Sequence, residues 1–193
     1  MKVRKISMFN QLFLFLAILL LLGNGILGAL VYNRSQVSLF QQIQMNAMNI
    51  AQCAAANVSG GILQNISVGE EESNEFQVIM EQLGFFRDNA EIEYIYTLRQ
   101  NEAGDFEFVV DSDLEEPAAI GDVCETTEEL AKAFAEGITT ADEEAFTDEW
   151  GTHVSAYSPI LDGNEVVGAV GVDISANWIN DQVIGLRNLI IFT

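Results

Sequence analysis

The pattern of hydrophobic positions divides this chain into stretches of different period. From residue 6 to residue 33 no side chain is charged, and within residues 12–31 only Asn24 is polar. Twenty such residues rise about 30 Å as a helix, the thickness of a bilayer's hydrocarbon core. Beyond Arg34 the pattern turns amphipathic. Phe40, Ile43, Ala47, Ile50 and Ala54 form an apolar stripe of coiled-coil period, widened by Met48, Ala51, Ala55 and Val58. Such a stripe buries either against its own domain or against the same helix of a second chain, and a parallel homodimer is the expectation. Gly60-Gly61 breaks this helix. Phe76, Ile79, Met80, Leu83 and Phe86 share one face of a second helix, with Ser73 or Asn74 as its cap.

The period then falls to two. Residues 92–98 alternate and are rich in β-formers, residues 101–105 make a turn, and residues 106–111 complete a hairpin. Thr126 with Glu129 has capping-box spacing ahead of a third helix that Gly137 stops. Residues 145–147 predict a short strand. Residues 153–161 and 165–174 predict two long ones, joined by Asp162-Gly163-Asn164. Gly168 and Gly171 stand inside the last strand, where glycine marks close approach of a ligand or a neighbouring backbone. Helix, helix, strand, strand, helix and three strands predict an α+β domain with a mainly antiparallel sheet.

Charge sharpens the division. The chain carries a formal net charge of −21, and all 29 of its acids lie between positions 70 and 181. Against them stand only Arg87, Arg99 and Lys132, a local balance of −26. So acidic a domain repels phosphate backbones, which excludes nucleic acid as a partner. Lys2, Arg4 and Lys5 precede the apolar run, so the N-terminus is expected in the cytoplasm and the acidic domain outside. A cleaved signal peptide is the rival reading, with Leu27-Gly28-Ala29 as its site. The length of the run and the helix that follows favour an uncleaved anchor in a lipid bilayer. Residues 189–193 are apolar and follow Arg187, which predicts the start of a second span and a longer protein. The expected divisions are residues 1–33 (cytoplasmic N-terminus and first span), 34–185 (extracytoplasmic domain) and 186–193 (start of the second span). Cys53 and Cys124 are too few for a disulfide framework, and whether they pair stays open. A single histidine and no Cys/His cluster give no zinc pattern.

Four segments in order resemble the extracellular Cache sensor domains of bacterial receptors. They are the membrane helix with its long continuation; Tyr94-x-Tyr96-Thr97; Phe106-x-Phe108-Val109-Val110-Asp111; and a run from Thr147 through Trp150, His153 and Tyr157 to Ile160, closed by Val166-Val167-Gly168-Ala169-Val170-Gly171-Val172-Asp173-Ile174. The resemblance covers residues 34–185 and implies the single-module form. It implies a long N-terminal helix leading into a PAS-like five-stranded antiparallel sheet with flanking helices. It also implies a small ligand held on one face of that sheet, with a histidine kinase, chemoreceptor or cyclic-dinucleotide module downstream. The Arg and Tyr-x-Asp arrangement of the amino-acid-binding members is not reproduced, so the ligand is not carried over.

Candidate ligand-binding residues follow from alternation and from the resemblance. His153, Ser155 and Tyr157 share one strand face near Trp150, suited either to a hydrogen-bonding pocket or to solvent. Tyr94 and Tyr96 share a face that Arg99 does not, and a tyrosine offers an apolar wall with a donor tip. Asp111 and Asp173 end apolar strands, and either could pair an ammonium. Asp173 also suits a helix N-cap. The sparse cations favour an amino acid or amine as ligand. Asp111-x-Asp113 lacks the spacing of a calcium loop, and no catalytic motif or cofactor signature is present. The alternative to a sensor is a membrane-anchored scaffold that binds another envelope protein and no small molecule.

Overall fold

The expected helix from residue 34 is not separate from the apolar run. In the computed structural model, which describes residues 7–147 and 152–175, both belong to one helix, α1 (Met8–Asn57), of 50 residues and about 75 Å. Trp150, Trp178, Arg187 and residues 189–193 lie outside the described residues. The chain divides into two compact units that part between Phe40 and Gln41. In the first, α1 is long and apolar enough to cross a membrane, and Leu12, Phe13, Leu16 and Leu20 are exposed along it. In the second, Ile43, Ala47, Ala51 and Ala54 are buried within the one chain. Of the coiled-coil stripe, Ile43, Ala47 and Ala54 pack within their own domain, while Phe40 and Ile50 stay half-buried.

After α1 come α2 (Gly60–Asn65) and α3 (Asn74–Asn89). Ser73 caps α3 by accepting from Phe76 N–H at 3.1 Å. The hairpin β1 (Tyr94–Gln100) and β2 (Phe106–Asp111) turns at Gly104, whose φ is +90°. Asn101 Oδ1 fixes this turn by accepting the N–H groups of Ala103 and Asp105 at 2.9 and 3.0 Å. Helix α4 (Glu128–Glu136) ends at Gly137 in the left-handed region. Its cap is Thr127, which accepts from Leu130 N–H at 3.1 Å, one residue later than the capping-box spacing placed it. The strands β3 (Thr140–Ala141), β4 (Phe146–Thr147), β5 (Thr152–Asp162) and β6 (Glu165–Ser175) complete the fold.

The sheet is antiparallel, in the order β2-β1-β6-β5-β3, with β4 pairing a further stretch of β5. This is the α+β, five-strand open sheet with flanking helices that the element order predicts. β1 and β6 are central, so the last strand joins the first hairpin to the second.

Two glycines of β6 show what covers each face. A Cβ on Gly168 would lie 2.5 Å from Leu63 Cδ2 of α2 and 2.6 Å from the Leu98 carbonyl oxygen, so glycine lets α2 close on the sheet. Three residues on, Gly171 faces the other way, and there a Cβ would run into the ring of Tyr96. On that second face Tyr96, Leu98, Phe106, Phe108, Tyr157 and Ala169 form an apolar cluster with Leu130 and Ala133 of α4 and with Cys124.

Candidate functional site

Register makes the site. Tyr94 of β1 stands opposite Asp173 of β6, which stands opposite Ser155 of β5. Two residues along, Asp111 of β2, Tyr96, Gly171 and Tyr157 form a second row. Directly opposed residues in an antiparallel sheet project to the same side. The two rows therefore put three tyrosines, two carboxylates and a serine on one face, and Gly171 leaves the gap that the Tyr96 ring fills. Phe108 packs edge-on to Tyr96, the ring centroids 5.1 Å apart.

Above these rows lies a small cleft with a cavity volume of about 30 Å³, open to solvent on one side. Its walls comprise Tyr94, Tyr96, Asp111, Ser155, Tyr157 and Asp173 from the residues nominated by sequence, together with Phe108, Asp113, Glu116, Cys124 and Glu125. Asp173 is nearly buried and accepts from the Tyr96 hydroxyl at 3.2 Å. Two more strand residues follow it, so it is a strand acid in the cleft wall and not a helix N-cap. Ser155 and Tyr157 are likewise buried, which overturns the solvent-face reading of that strand.

Asp111 has a different task. Its Oδ1 accepts from Asp113 N–H at 3.0 Å and its Oδ2 from Ala118 N–H at 2.8 Å. Asp113 repeats the device with the N–H groups of Glu115 and Glu116, at 3.3 and 3.2 Å. These Asx-type bonds fold the segment after β2 into a tight acidic turn at the cleft. Among the described residues, no group of three or more His, Cys, Asp or Glu is placed to hold a metal ion.

His153 is buried but lies beyond the two rows, opposite Ser175. It does not line the cleft. Its Nδ1 lies 3.3 Å from Glu93 Oε2, and its ring meets that of Tyr94 edge-on at 5.3 Å, so it backs a wall residue. Trp150 is outside the described residues. No disulfide joins Cys53 and Cys124.

Burial and charge act together on the hydroxyls. Burial, then the charge of Asp173, holds the Tyr96 phenol well above its ordinary range. Tyr157 is raised the same way, burial first. Tyr94 is raised by burial and then by four carboxylates, Glu93, Asp113, Asp111 and Asp173, which converge on it. Burial also raises Asp111, against the backbone hydrogen bonds from Ala118 and Asp113. The three tyrosines therefore stay phenols at neutral pH.

The cations are elsewhere. Arg99 pairs with Glu107 at 2.7 Å and donates to the Ile66 carbonyl at 2.5 Å. Arg87 pairs with Asp88 at 2.8 Å and donates to the Ser112 carbonyl at 2.6 Å. Lys132 approaches Glu129 at 3.7 Å. No Lys or Arg among the described residues lines the cleft.

Of the residues that the sequence did not nominate, Phe108 was within reach, because it alternates with Phe106 and shares a strand face with it. Asp113, Glu116, Cys124 and Glu125 belong to the loop that closes over the sheet, and loop closure leaves no periodic trace.

The chain resembles solved extracellular sensor domains. An extracellular ligand-binding receptor from Desulfohalobium retbaense matches 76% of this chain and 25% of its own at 14% identity, with a TM-score of 0.54. The ligand-binding domain of the Campylobacter jejuni chemoreceptor Tlp3, solved with L-valine, matches 77% of this chain and 66% of its own at 13% identity, with a TM-score of 0.40. The extracellular domain of the proposed histidine kinase mmHK1S-Z2 matches 78% and 59% at 16% identity, with a TM-score of 0.46. This chain thus spans between a quarter and two-thirds of those structures. No family model matches it, and no curated protein matches it in sequence. The likeness to the D. retbaense receptor bears on the fold of the domain. At such identities it carries the fold alone.

Proposed function

We propose that residues 34–185 are the ligand-sensing input domain of a transmembrane receptor, held outside the cell by the apolar part of α1 with the N-terminus in the cytoplasm. The ligand is a small molecule of the amino-acid or amine class. The output is a signalling module beyond the second span, and the fragment itself catalyses nothing. One observation carries this reading: the row Tyr94–Asp173–Ser155, half-buried at Tyr94 and buried at Asp173 and Ser155, faces a cleft. Buried polar side chains on a sheet face cost stability unless they are hydrogen-bonded, and here they converge on a cleft that opens to solvent.

Thermal melting of the full chain in lipid nanodiscs tests it, with a panel of amino acids, amines and organic acids. At least one compound raises Tm, and Ser155→Ala or Asp173→Asn removes the shift. A panel without effect, or a shift that survives both substitutions, contradicts the reading. Orientation has its own test: a cysteine at exposed Glu102 is labelled from outside intact cells, and labelling only after lysis contradicts the topology.

A further inference from the structure

We infer, resting on the sensing reading above, that the cleft selects an organic cation bearing no carboxylate, an aliphatic amine or diamine, over the corresponding amino acid. An amino acid needs two opposite anchors, and this cleft offers one kind. Five carboxylates line it (Asp111, Asp113, Glu116, Glu125 and Asp173). The three cations of the acidic segment are held by Asp88, Glu107 and Glu129 and contribute nothing to its walls.

Backbone N–H groups are the other common holders of a carboxylate. At this cleft those of Asp113, Glu115, Glu116 and Ala118 already donate to the side chains of Asp111 and Asp113. The Ser155 hydroxyl is engaged by Asp142 and Tyr157, and that of Tyr94 flanks Asp173, where a ligand carboxylate would be repelled. The Tyr96 hydroxyl already donates to Asp173. A ligand carboxylate would thus lose its water and gain no cationic partner, at considerable cost.

An ammonium meets the reverse situation. Asp173 supplies a nearly buried counter-charge. The rings of Tyr94, Tyr96, Phe108 and Tyr157 form walls against which an alkyl chain packs and a cation is attracted. Glu116 and Glu125, both exposed, place a second acidic group at the mouth, where the far ammonium of a diamine would sit.

Four small molecules test this on the full chain in nanodiscs by titration calorimetry. n-Butylamine, norvaline and pentanoate share a carbon skeleton: the first lacks the carboxylate, the third lacks the amine, and norvaline has both. Putrescine adds a second ammonium. Butylamine is expected to bind at least tenfold more tightly than norvaline, pentanoate not at all, and putrescine more tightly than butylamine. Asp173→Asn weakens butylamine at least tenfold. Glu116→Gln and Glu125→Gln, both exposed changes, each weaken putrescine about two- to threefold more than they weaken butylamine. Norvaline or pentanoate binding more tightly than the amines overturns the inference and leaves the sensing reading standing. Silent amines while another panel member binds do the same. Silence from all four compounds and from the whole panel overturns both.

Discussion

The two faces of the sheet are built from the same strands and have opposite chemistry. On the side of Gly168 the sheet meets α2 through Leu63, which is fully buried, with close packing joined by a hydrogen bond from Arg99 to the Ile66 carbonyl. On the side of Gly171 the same strand carries Asp173, and the neighbouring strands bring Tyr94, Tyr96, Ser155 and Tyr157 to it. A glycine is needed on both sides, for different reasons. Gly168 admits a helix, whereas Gly171 admits a tyrosine ring that is part of the cleft. The first face should tolerate no added volume, because its neighbour is partly backbone. The second should tolerate a little at the expense of binding, because its neighbour is a side chain.

Substitution at the two glycines breaks the comparison most directly. Gly168→Ala places a Cβ against Leu63 and the Leu98 carbonyl. The overpacking should cost about 3 kcal/mol or more, read as a lower midpoint in urea at unchanged slope. Gly171→Ala should cost about 1–2 kcal/mol, since the Tyr96 ring must shift while Phe108 and Asp173 hold it. Its main effect is loss of the ligand-induced Tm shift. Equal stability losses at the two sites would mean that the faces do not differ as described.

A pH experiment sharpens the picture at the edge of the cleft face. Asp142 is nearly buried, its Oδ2 has no hydrogen-bond partner, its N–H donates to the Ser155 carbonyl at 2.9 Å, and its carbonyl accepts from Gln44 of α1 at 2.6 Å. Burial raises its carboxyl from 3.8 to about 6, opposed by hydrogen bonding from Thr127 and Ser155 and aided by the charge of Glu129. A folded-state pKa above the unfolded value means that the proton is held more tightly in the native state. Its stabilisation is thus complete below about pH 4 and lost as pH rises through about 6. Asp142→Asn should therefore raise stability at pH 7 by up to about 2–3 kcal/mol and leave it nearly unchanged at pH 4. Chemical denaturation of both chains at the two pH values checks this, and a difference that does not depend on pH contradicts it. The smallest effect is at α3, away from the cleft. Ser73→Ala removes the cap to Phe76 and should cost about 1 kcal/mol with no change in ligand response.

Much of the fold was legible because local signals agreed with one another. The Asn101 turn, the Gly163 hairpin, the Ser73 cap and the Gly137 stop are each set by a few adjacent residues. The cap of α4 fell one residue from its expected place, since Thr126 and Thr127 are both competent and tertiary packing chose between them. β3 went unseen, because two residues leave no periodicity. Within the site, alternation correctly put Tyr94 with Tyr96 and Ser155 with Tyr157. It could not show that β6 lies between those pairs, since its register with β1 joins residues far apart in sequence, Tyr94 with Asp173 and Tyr96 with Gly171. His153 has the right parity yet lies beyond the wall rows, so sharing a strand face did not make it a cleft residue. The coiled-coil stripe is ambiguous for a related reason, because a helix on its own domain and a helix on a partner bury the same period.

The central claim is that recognition occurs on the Gly171 face and that the Gly168 face only packs. Hydrogen exchange of the full chain in nanodiscs, with and without whichever compound raises Tm, measures this directly. The account predicts slower exchange in residues 111–125, including Ala118, and in the strand residues around Tyr96, Gly171 and Tyr157, with α2 and α3 unchanged. Protection confined to residues 60–89, with the loop after β2 unaffected, would contradict it.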